Sequence, residues 1–86
     1  MIFLSEPLGR GQLDAEAIET AIELADQFAP SKAFDRARDW WQRQHSSEWH
    51  GLGFAKGVRW LAMLRRDSDE KTYTAACHQL RLQSRF

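Results

Sequence analysis

At 86 residues the chain is long enough for one small domain and too short for two, because a chain of this size buries only about 60–65% of the surface its unfolded form exposes. Hydrophobic residues at 43% and charged residues at 28% exclude a disordered chain, and twelve basic against twelve acidic residues leave no net charge. One cysteine, Cys77, excludes an intrachain disulfide, so stability must come from packing or association, as suits a reducing, cytoplasmic setting.

The chain opens on Met1-Ile2-Phe3-Leu4 and then meets Ser5-Glu6-Pro7, a run too short for a secretory signal and without a basic start. Pro7, Gly9 and Gly11 make residues 1–12 an irregular leader. It is left open whether the leader is extended, lies across the core or pairs with another chain. The first helix is expected over about 14–29, with Asp14 as N-cap and Leu13 stapled to Ile18. Ile18, Ala21, Ile22, Ala25 and Phe28 share one face, and Glu16, Glu19, Glu23 and Asp26 share the other. Pro30 turns the chain.

Ser31 then reads as the N-cap of a second helix over 31–45, carrying Phe34, Ala37, Trp40 and Trp41 and the acid-first pair Asp39 and Arg43. Neighbours on a helix point about 100° apart, so Trp40 and Trp41 cannot share one direction. Residues 45–53, with Ser46, Ser47, Gly51 and Gly53, read as a turn or distorted join. A third helix over 53–66 places Phe54, Val58 and Leu61 on a ridge and Lys56, Arg59 and Arg66 on a narrow polar strip, which makes it the central element. Gly53 and Gly57 are candidates for close approach by a neighbouring helix. Asp67, Ser68 and Asp69 separate it from a fourth helix over 69–84, striped with Tyr73, Ala76, Cys77 and Leu80. Arg81 and Arg85 suit the negative end of that helix. The expected fold is all-α: a single domain, 1–86, built as a small bundle of three to four helices. The longest apolar-rich stretch, Leu52 to Leu64, contains Lys56 and Arg59 and falls short of the ~20 residues a membrane span needs.

Charge is split along the chain, with −5 over residues 1–28 and +5 over residues 29–86. The favoured reading sets the acidic helix against basic ones within the monomer. The other lets the asymmetry steer a partner or align two copies. Metal ligation would have to draw on His45, Glu48, His50, Cys77 and His78, but no two of the histidines have the four-residue step that aligns ligands on a helix. Cys77 falls on an apolar stripe, which suits an inert thiol rather than a nucleophile. Gly51-Leu52-Gly53 lacks the lysine and preceding strand of a phosphate loop. These absences point to no cofactor and no catalytic role.

What remains is an excess of aromatic side chains, four Trp and five Phe, on a short helical chain. The expectation is a protein–protein interaction module of adaptor, chaperone-like or inhibitor-like type, binding another protein or a second copy of itself. Trp40, Trp41, Trp49 and Phe86 would enter a partner groove, with Arg36, Arg43 and Arg59 at the rim. Nucleic-acid binding through arginine and tryptophan is the alternative, weakened by Asp35, Asp39 and Glu48 in the same segment and by the neutral total charge.

Overall fold

The computed structural model describes residues 15–83, which form α1 (Ala15–Gln27), α2 (Pro30–His45), α3 (Glu48–Asp67) and α4 (Glu70–Gln83), with no strand among them. The all-α bundle expected from the sequence is the observed architecture. The leader 1–12, the Asp14 cap, the Leu13 staple, Arg85 and Phe86 lie outside the described residues.

In α1, Ala17, Ile18, Ala21 and Ala25 are buried at three-four spacing, and a last Phe28 amide to Leu24 carbonyl bond of 3.0 Å completes the turn. The start of α2 differs from the Ser31 cap expected. Pro30 occupies the first turn, and Ala29 stands at the N-cap in extended geometry without a side-chain hydrogen bond. The proline ring fixes a helical φ and has no amide to satisfy, so the helix begins without a polar cap.

The third helix begins about five residues earlier than the sequence pattern suggests. Ser47 caps it, its Oγ accepting from the His50 amide at 3.3 Å, and residues 48–53 are helical despite two glycines. Gly51 earns its place by contact: an added Cβ would lie 3.1 Å from Trp41 Cδ1, while one on Gly53 would meet nothing within 4 Å. The close approach therefore occurs at Gly51 and not at Gly53.

Only Ser46 and Ser47 join α2 to α3, with Ser46 in the left-handed region at φ 55° and its amide bonded to the Gln42 carbonyl at 3.0 Å. The two helices form the most extensive pair in the molecule, α1 lies across both, and α4 touches only α1 and α3. Phe54, Ile18, Leu61, Leu80 and Val58 are the largest fully buried side chains, each worth about 1.5–3 kcal/mol of transfer free energy. Alanines 17, 21, 25, 33, 37, 55, 62 and 76 fill much of the rest, so the helices meet through small side chains.

The α4 helix is capped by Asp69, whose carboxylate accepts from the Thr72 amide at 2.8 Å; hydrogen bonding from the Thr72 side chain, and then from its amide, holds the carboxyl below the usual range. Tyr73, Ala76, Cys77 and Leu80 form the buried stripe expected of it. Tyr73 donates its hydroxyl to the Ile22 carbonyl at 3.4 Å, and Arg81 grips Glu19 with bonds of 2.7 and 3.0 Å. Arg65 of α3 binds Asp26 at 2.8 Å. The acidic face of α1 thus lies partly against basic groups of its own chain, and Arg81 meets a carboxylate of α1. Among the described residues no helix is long and apolar enough to cross a membrane.

Two measurements test this arrangement. Gly53→Ala should raise stability by up to about 1 kcal/mol, because it removes helix-interior glycine entropy in open space. Gly51→Ala should forfeit that gain against the Trp41 ring, so a lower urea midpoint for Gly53→Ala than for Gly51→Ala would refute the contact. The second concerns pH. The Arg81 hydrogen bond lowers the Glu19 pKa below its ordinary 4.5, so this stabilisation is present above 4.5 and is lost as pH falls through the lower folded value. Glu19→Gln should therefore flatten the acid limb of the stability profile, modestly, since the pair is about half exposed.

Candidate functional site

The tandem tryptophans part ways at the α2–α3 joint. Trp41 is 3% exposed, its ring centroid 4.9 Å from Phe54 and stacked on His45 at 4.0 Å, with Gly51 beneath. Its buried indole N–H has no acceptor among the described residues, a loss of about 1–3 kcal/mol that the ring packing must outweigh. Trp41 is a core residue rather than part of a contact surface. The reason is its phase on α2: with Ala33 and Ala37, at four-residue steps, it faces into the bundle. Trp40 is half-buried, 5.5 Å from the Phe54 ring and 6.3 Å from Trp41, so it supports the joint and stays partly open to solvent.

Trp49 is different. It lies in the first turn of α3 and is 84% exposed, and Leu52, one turn on, is 37% exposed. The core is closed beneath them by Trp41, Phe54 and Ala55, so Trp49 adds almost no burial to the fold, while Leu52 packs part of its surface and shows the rest.

The three arginines do not gather around this corner as one rim. Arg36 lies over the Phe28 ring at 4.9 Å, a cation–π contact at the α1–α2 turn. Arg43 is exposed in the last turn of α2, beside the joint. Arg59 is exposed on α3, ten residues beyond Trp49 and so about 15 Å along the axis.

The polar strip of Lys56, Arg59 and Arg66 expected from spacing is part of a longer exposed stripe. Trp49, Leu52, Lys56, Arg59, Met63 and Arg66 are all exposed and recur at alternating steps of three and four, so they line one outer edge of α3. Lys56, Arg59 and Arg66 form no ion pair with any described residue. Starting the helix at 53 conceals the first two members. The signal for them is Ser47 as an N-cap, followed by Glu48 in the first turn.

Beside Leu52, a shallow groove of about 290 Å³ is lined by Arg38, Asp39, Gln42, Glu48 and Leu52. A second depression, of about 360 Å³, gathers Glu19, Glu23, Asp26, Tyr73, Cys77 and Arg81 between α1 and α4. In the second, Glu19 and Asp26 bind arginines, Tyr73 hydrogen-bonds Ile22, and burial pushes the pKa of the Cys77 thiol up. Among the described residues no three His, Cys, Asp or Glu side chains cluster so as to hold a metal ion. His45 instead stacks on Trp41, and His50 is exposed.

In comparisons with known proteins, the chain matches no family model, no curated protein and no solved structure. The site's own geometry therefore carries the functional argument.

Alanine substitutions separate the two roles. Trp41→Ala should lose about 3–5 kcal/mol of stability, as expected for an emptied core site. Trp49→Ala should stay within about 0.5 kcal/mol of the parent. Thermal melts followed by circular dichroism decide this, and equal losses in the two variants would contradict the assignment.

Proposed function

We propose that this domain is a protein–protein interaction module whose primary anchor is Trp49, supported by Leu52 one turn on and by the half-buried Trp40 at the same α2–α3 joint. The observation that carries the reading is an indole 84% exposed on a rigid helix whose core is complete without it. A tryptophan on a preformed helix presents large contact area with little conformational entropy left to lose, the property that makes this residue dominant in binding sites. Arg43 beside the joint and Arg59 further along α3 supply rim charges that orient a partner. Trp41 supports binding only by holding α3 in place. A free, buried Cys77 fits a reducing, cytoplasmic setting.

Nucleic-acid binding is the second reading, favoured by Lys56, Arg59 and Arg66 of α3, which pair with no carboxylate among the described residues. Asp39 and Glu48 beside Leu52 oppose it, because a phosphate backbone tracking that edge would meet two carboxylates.

The test compares partner capture from the native cell by the parent protein and by Trp49→Ala at matched folded concentration. Loss of a specific protein with the fold intact is the expected result. Equal capture by both proteins would refute the module reading, and retention only of nucleic acid, falling steeply with salt, would favour the alternative.

A further inference from the structure

The outer edge of α3 combines two properties seldom found together on a surface that meets only water. Three large apolar side chains are exposed on it, Trp49 at 84%, Leu52 at 37% and Met63 at 43%. Interleaved with them on the same line are Lys56, Arg59 and Arg66, exposed and paired with no described carboxylate. The helix is 20 residues long, about 30 Å, which makes the stripe a continuous track. Among the described residues the basic group of α3 that does have a carboxylate partner lies off this line: Arg65 binds Asp26.

We infer that this track is the docking site for an acidic amphipathic helix of another protein, an inference that rests on the interaction-module reading. Such a helix would lay apolar side chains against Trp49, Leu52 and Met63 and place carboxylates against Lys56, Arg59 and Arg66.

Charge decides against the other occupants. Two copies of the track paired antiparallel, with Leu52 against Met63, bring Lys56 against Arg59 twice over. Parallel pairing sets each cation against itself, so a second copy meets like charge at the centre of the contact. The α1 face of another copy offers Glu16 and Glu23 but no large apolar side chain among its exposed residues. A phosphate backbone gives Leu52 and Met63 nothing to pack against and meets Glu48 beside Trp49. An anionic lipid surface calls for apolar and basic groups on separate faces, whereas here they alternate along one line.

The probe is a fluorescein-labelled peptide of about 20 residues, with leucine at three-four spacing and glutamate on the flanks, titrated with the full chain in polarisation measurements. Saturable binding is expected. Trp49→Ala should weaken it by about 30-fold, and the double reversal Lys56→Glu with Arg59→Glu by about tenfold or more. A matching peptide with lysine in place of glutamate should ignore the parent protein and bind the reversed variant, a swap that loss of structure cannot produce. No binding of the leucine–glutamate peptide up to about 1 mM would overturn the inference. So would preferential binding of a single-stranded oligonucleotide or of vesicles of equal parts phosphatidylcholine and phosphatidylserine, or self-association of the parent abolished by the same reversal. If the reversal leaves peptide binding unchanged while Trp49→Ala still abolishes partner capture, the acidic partner is excluded and the module reading stands.

Discussion

The wedge of Trp41 over Gly51 is the contact from which the rest of the molecule follows. It locks the end of α2 to the start of α3 across a connection of two residues, and it sets the rotational phase of α3. With Gly51, Phe54, Ala55, Val58, Leu61 and Ala62 turned inward, the positions at Trp49, Leu52, Lys56, Arg59, Met63 and Arg66 must turn outward. Burial of one indole and exposure of another are two sides of a single geometric constraint. That the wedge leaves an indole N–H without an acceptor among the described residues indicates how strongly ring packing favours this site.

Electrostatics play a secondary, distributive role. Glu19 and Asp26 of α1 bind Arg81 and Arg65, and these exposed pairs orient helices more than they stabilise them. Their consequence is selection among cations. The acidic helix engages Arg65 of α3 and Arg81 of α4 and, among the described residues, leaves Lys56, Arg59 and Arg66 on the outer edge of α3 without a carboxylate partner.

Much of this fold was legible because amphipathic spacing is a strong signal over ten or more residues. The apolar faces of α1 and α4 fell where their periodicity placed them, and Pro30 and Asp69 marked real boundaries. The join at 45–53 was not legible, since glycine weighs against helix in any local accounting while the benefit of Gly51 comes from a ring ten residues earlier in the chain. That tertiary compensation hid the first turn of α3 and, with it, Leu52. The tandem tryptophans show the same limit. Divergence of Trp40 and Trp41 follows from helix geometry, but which ring is buried depends on the facing helix. Arg36 and Arg59 likewise sit far from the aromatic corner because proximity along the chain does not convey position around a bundle.

The alanine-lined seams carry an evolutionary corollary. A methyl side chain has almost nothing to lose and no rotamer freedom to surrender, so these positions tolerate no enlargement and reward no trimming. Sequence drift in such a bundle is channelled to its skin. The scaffold can keep its shape while the groups along one helix edge are exchanged.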